Sequence, residues 1–213
     1  MSPRRRLSSP TLRRIAFAAV AALVVSPGSA MAQGSTTRGL SLGAHLMGTS
    51  LEVENGDRSG GGGFGLRVGY GFNRIVTGFI HIDGSRVEVQ EGQGVGGQWD
   101  LAHAEVGARF HFANSLRRLV PYLEVSAGGR SVSVADAQVN GQAVGELSFS
   151  GAAITFGGGL SAYFTRKLAL DLSLKLTGGT FNKVDVGPIS VNNLDIEAGS
   201  ARVGIGFTWW PRA

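Results

Sequence analysis

The residues able to do chemistry in this 213-residue chain are four histidines with acids and hydroxyls near them. His103, Glu105, Arg109 and His111 recur at even spacing, so on an extended strand they share one face. His81 and Asp83 do the same on another segment. General acid–base or nucleophilic chemistry needs an acid, a hydroxyl and an imidazole within hydrogen-bond reach, and Asp83, Ser85 and His103 could form such a set. The competing expectation, which the spacing favours, is that these polar side chains occupy one enclosed row and pair with one another. No catalytic residue is therefore assigned. Neither a metal nor a cofactor is expected: there is no Cys, and two histidines on one strand lack a third ligand. The glycine runs Gly60 to Gly63 and Gly157 to Gly159 lack the Lys-Ser ending and strand–loop–helix context of a phosphate loop.

Charge also argues against a nucleic-acid partner. Five of the 20 basic residues (Arg4, Arg5, Arg6, Arg13 and Arg14) lie in the first 32 positions, which contain no acid. The remainder balances at 15 basic and 15 acidic residues, with no basic stripe. Those arginines precede the apolar run Ile15 to Val25, a Ser26-Pro27-Gly28 break and the small-x-small triplet Ala30-Met31-Ala32. This is the layout of a secretory signal, with cleavage expected before Gln33. Eleven apolar residues in a helix rise about 16 Å, short of a roughly 30 Å hydrocarbon core. Beyond residue 32 no apolar run reaches the length of a spanning helix. A membrane could be crossed only by strands.

What positions the candidate residues is a period of two. Leu168, Leu170, Leu172, Leu174 and Leu176 alternate with Ala169, Asp171, Ser173, Lys175 and Thr177. A helix would scatter those leucines around its circumference, so the segment is a strand. Seven more segments fit: Leu40 to Gly48, Phe64 to Phe72, Ile75 to Asp83, Ala102 to Phe112, Pro121 to Arg130, Gly151 to Phe164 and Ala201 to Trp210. Ile75 to Asp83 fits least well, because Phe79 falls among Thr77, His81 and Asp83. Connections alternate between long (Thr49 to Gly62, Gly84 to Gln98, Ser131 to Leu147, Gly178 to Ser200) and short (Asn73-Arg74, Ala113 to Leu119, Thr165 to Lys167). Antiparallel strands so joined put all long loops at one end and both termini at the other.

The polar face is mostly Gly, Ser, Thr and Ala, which suits a narrow lumen better than a soluble surface. Ten residues at about 3.3 Å, tilted about 40°, span roughly 25 Å, the height of a lipid-facing band. Aromatic residues gather at the short-turn ends: Tyr70 and Phe72, Phe110 and Phe112, Tyr163 and Phe164, Trp209 and Trp210. A girdle at one lipid–water boundary is expected there. The fold expected is all-β: an eight-stranded antiparallel up-and-down transmembrane β-barrel spanning residues 33–213, after a cleaved signal peptide at 1–32.

Gly157-Gly158-Gly159-Leu160-Ser161-Ala162-Tyr163-Phe164, Leu168-Ala169-Leu170-Asp171 and the closing Val203-Gly204-Ile205-Gly206-Phe207-Thr208-Trp209-Trp210 resemble the small bacterial outer-membrane β-barrels, including the A- and X-type proteins. The resemblance implies outer-membrane lipids as partners, and the barrel-assembly machinery during biogenesis. That machinery reads a final aromatic residue in the family, whereas Pro211, Arg212 and Ala213 follow Trp210 here. No cell-wall-binding domain is expected after the last strand, and a monomer is expected. Some members of the family modify lipids with a His, a Ser and an acid near the outer rim.

Arg67, Asp83, Glu105, Arg109, Glu124, Arg130, Asp171, Lys175 and Arg202 fall on the polar face, five positive and four negative. Buried charges are tolerable when paired, so a salt-bridge network filling the bore is expected. The function expected is non-enzymatic, either envelope support or presentation of surface loops, with no surface partner identified. The alternatives are a lipid-modifying enzyme on the same barrel and a secreted soluble barrel with the leucine row turned inward around an apolar ligand. Turn residues Arg74, Arg117, Arg118, Arg166 and Lys167 could meet headgroups or simply be solvated.

Overall fold

The computed structural model describes residues 37–53, 59–89, 97–112, 118–139, 142–186 and 189–211. The expected signal segment and Arg117 lie outside the described residues. Eight strands follow in chain order: β1 (Gly39–Val53), β2 (Ser59–Gly71), β3 (Val76–Val89), β4 (Gly97–His111), β5 (Leu119–Val139), β6 (Gln142–Tyr163), β7 (Leu168–Val186) and β8 (Ile189–Trp209). Each pairs antiparallel with its sequence neighbours, and β1 pairs with β8 from Leu42↔Trp209 to Val53↔Ala198, closing the barrel. The short turns are fixed locally. The Asn73 side-chain oxygen accepts from the amides of Ile75 and Val76, and the Thr165 hydroxyl accepts from those of Lys167 and Leu168.

The alternation resolves into an apolar outside and a polar inside. Leu46 and Phe156 are 65% exposed, whereas His81 is 0% and Arg202 1% exposed. Leu172 pairs with Leu160 and Ile205 on the outward face. Thus the leucine row does not meet in a sealed centre, which excludes the soluble-carrier geometry. Phe79 breaks the pattern of its strand because it turns inward, where the Arg67 guanidinium lies 4.4 Å from its ring centre.

Two expectations need correction. Much of Ser131 to Leu147 and Gly178 to Ser200, read as loop, is strand: β5 runs on to Val139, and β8 starts at Ile189. The period of two persists there, but the apolar residues change face. Along β4 the inward row passes from Glu105 and His103 to Leu101, while the outward row passes from Val106 to Asp100. The same exchange puts Leu51, Val87, Val132 and Phe181 inside. The second correction concerns the girdle. Tyr163 and Trp210 face inward, 5% and 3% exposed, while Phe164 and Trp209 remain outside at 59% and 48%. Adjacent residues of a strand point to opposite faces, so a neighbouring pair cannot both meet lipid. Tyr70 with Phe72, and Phe110 with Phe112, are two apart and do share the outer face.

Candidate functional site

Three layers fill the interior. At the short-turn end Val120, Tyr163, Ala169 and Trp210 form an apolar cluster. At the long-hairpin end Leu51, Val87, Leu101, Val132, Phe181 and Ala198 form another, edged by Trp99, Phe149 and Ile196. Between them lie all nine of the charged residues read from the sequence, each at most 6% exposed.

Arg202 is the hub of the outer half of this layer. It pairs with Asp83, donates to Glu105 at 2.6 Å and to the Thr177 and Thr155 hydroxyls at 2.7 and 3.2 Å. Glu105 also accepts from Thr155 at 2.8 Å and Ser126 at 3.1 Å. In the inner half, Arg67 donates to both oxygens of Glu124 at 3.1 and 3.0 Å. Arg109 bridges Glu124 and Asp171, each at 3.2 Å, and stacks its guanidinium 3.7 Å from the Tyr122 ring centre. Asp171 further accepts from Ser161 and Thr208, both at 2.5 Å. Lys175 links the halves, 3.5 Å from Glu124 and 3.2 Å from the Nδ1 of His81. Arg130 stands apart, bonded to the carbonyls of Gly179 and Ala198.

The histidines extend this network, as expected for His81, His103 and His111, and His45 joins them. All four histidines face inward; His45 stacks on His81 with ring centres 5.2 Å apart, and His111 lies 3.2 Å from the Thr77 hydroxyl. The available signal was phase, since His81, His103 and His111 keep the parity of the charged row on their strands and His45 that of Ser41 and Thr49.

The drawn catalytic set is only partly assembled. His103 Nδ1 lies 2.9 Å from Asp83, but the Ser85 hydroxyl shares a hydrogen bond with Thr49 at 2.8 Å. All three side chains are buried, at 6% exposure or less, next to the apolar cluster rather than at an open rim. Among the described residues no group of three or more His, Cys, Asp or Glu is disposed to hold a metal ion.

Close packing in the polar layer relies on glycine where a ring crosses it. A Cβ on Gly159 would come within 2.5 Å of the Tyr122 hydroxyl and 2.0 Å of the Leu172 carbonyl. Gly159→Ala should therefore cost about 1–3 kcal/mol by overpacking, read as a lower urea midpoint in detergent. The companion Tyr122→Phe, Gly159→Ala variant keeps the ring and should not recover that loss. Outside the barrel, Ser190 donates to Asp185 and Lys183 lies 2.9 Å away. These contacts, the Ser190 hydrogen bond foremost, hold the Asp185 carboxyl below the usual carboxylate range.

A closed antiparallel barrel with a lipid-facing apolar belt and a paired polar interior is an integral membrane β-barrel of the bacterial outer-membrane class. Residues 17–208 match the outer membrane protein beta-barrel domain family, and the chain belongs to it. No curated protein matches the sequence. Among solved structures, the fold is similar to Neisserial surface protein A, with a TM-score of 0.58 at 15% identity over 80% of this chain and 96% of that one. It is also similar to the attachment invasion locus protein of Yersinia pestis, with a TM-score of 0.52 at 16% identity over 81% and 100%. The outer membrane is thus the location of this protein; in barrels of this class the short turns face the periplasm and the longer loops the cell surface.

Proposed function

We propose that this chain is a closed, non-enzymatic barrel whose work is done outside the cell by the sheet it carries. The observation behind this reading is the unequal strand length at the surface end. β1 stops at Val53, opposite Ala198, and the last β4–β5 pair is Trp99↔Val134. Above those points β5 to β8 continue, so among the described residues Ile189 to Asn192, Ile196 and Glu197 of β8 are paired on one side only, with β7. Such an edge carries backbone N–H and C=O groups able to add a strand from an extended partner. The lumen gives the second support. A polar layer capped by apolar clusters at both ends gives ions no continuous hydrated path across the barrel, and it keeps His103, Asp83 and Ser85 from lipid substrates. A barrel of similar fold is named for attachment and invasion, which accords with a surface role. The partners on this reading are the surrounding outer-membrane lipids, the barrel-assembly machinery during insertion and a protein at the cell surface, with the barrel acting as a monomer.

Truncating both projecting hairpins, by joining Val134 to Leu147 and Lys183 to Asn192 through short turns, tests the proposal. The shortened barrel should still reach the outer membrane and show heat-dependent gel mobility. Bacteria displaying it should lose the adherence to cultured cell monolayers that the full chain confers. Equal adherence by the two forms would refute the surface-sheet role. Stepwise ion conductance of the full barrel in planar bilayers would refute the closed lumen.

A further inference from the structure

Arg130 is the lumen cation that the network leaves without a carboxylate among the described residues. It is 3% exposed. Its Nη2 donates to the carbonyls of Gly179 at 2.6 Å and Ala198 at 2.9 Å, and the guanidinium lies 4.3 Å from the Phe181 ring centre. Its Nε and Nη1 find no acceptor among the described residues. The four buried carboxylates are engaged elsewhere: Asp83 with His103 and Arg202, Glu105 with Arg202, Glu124 with Arg67 and Arg109, Asp171 with Arg109.

Two further donors continue along the wall on which Arg130 is anchored. Ala198, Ser200 and Arg202 occupy successive inward positions of β8, about 6.6 Å apart along the strand. Arg130 holds the carbonyl of the first. The Ser200 hydroxyl and the Arg202 Nε are buried and lack partners among the described residues. Leu51, Leu101, Val132 and Phe181 pack at this end of the polar layer and separate it from bulk water. A buried guanidinium without a counter-charge is costly, and a run of N–H and O–H donors without an acceptor among the described residues matches an anion.

From this geometry we propose that Arg130, Ser200 and Arg202 bind one small monovalent anion of the halide class inside the lumen. One negative charge offsets the one buried guanidinium that meets no carboxylate among the described residues. A multiply charged oxyanion would overshoot that balance. The anion serves the barrel as an internal counter-ion, in the place where the described residues supply no fifth buried carboxylate.

The experiment uses the full barrel folded in detergent at constant pH and ionic strength, with sodium chloride replaced stepwise by sodium gluconate. The thermal midpoint should rise with chloride concentration, as expected for a ligand that binds only the folded state. Crystals grown in bromide should show an anomalous peak within contact of the Arg130 and Ser200 side chains. Arg130→Met should abolish the chloride response. If that variant does not fold, Ser200→Ala replaces it and should weaken the apparent halide affinity several-fold. Identical midpoints in chloride and gluconate, or a bromide peak away from Arg130, would overturn the assignment.

Discussion

Arg202→Met should lose about 3–5 kcal/mol of unfolding free energy, measured by urea titration of the barrel in detergent or vesicles. The substitution removes the shared partner of Asp83 and Glu105 and leaves two carboxylates buried side by side. Thr155 and Ser126, which donate to Glu105, and His103 beside Asp83 are too weak to replace a guanidinium. The measured loss is thus the cost of stranding charge, not the net value of the ion pairs. Neutralising the whole cluster separates the two. Asp83→Asn and Glu105→Gln combined with Arg202→Met should recover most of the stability, because neither carboxylate is then left as a charge without its guanidinium. A triple variant as unstable as the single one would mean that Arg202 acts by filling space.

Leu172→Arg should cost about 2–4 kcal/mol in lipid vesicles, because it places a charge on the outward face deep in the belt. Leu172 pairs laterally with Leu160 and Ile205, and the outward Phe156, Leu174 and Val203 are all more than half exposed. Ser50→Arg supplies the comparison. Ser50 is also outward, but it pairs with Gly60 and Ala201 at the rim where polar outward residues begin. Its cost should fall to about 0–1 kcal/mol, as it does near a bilayer interface. Equal costs at the two positions would show that the belt is misplaced along the barrel axis.

The belt was legible in the sequence because lipid imposes one rule on every strand it touches, and Leu168 to Thr177 obeys it without exception. The same phase located the nine charges, since their parity opposes that of the leucines. What periodicity could not give was the pairing among them. Arg67 on β2 and Glu124 on β5 belong to strands that are not neighbours, and they meet only because the sheet closes. The projecting strands escaped for a different reason. Beyond the membrane the apolar face turns inward and thins to single residues such as Val132 and Phe181 among Gly, Ser and Asn, which reads as loop. Tyr163 and Trp210 were misplaced because composition at a strand end was given more weight than phase.

The height of the projecting strands has a mechanical consequence. From Ala198 to Ile189 the last strand climbs nine residues, roughly 30 Å of extended chain, beyond its final contact with the first. On the proposed surface role, a partner gripping that ledge would be kept clear of the headgroups, so strand length would dictate the stand-off between the bacterium and its target. Lengthening or shortening the hairpins by residue pairs would retune that gap while leaving the anchored part of the molecule alone.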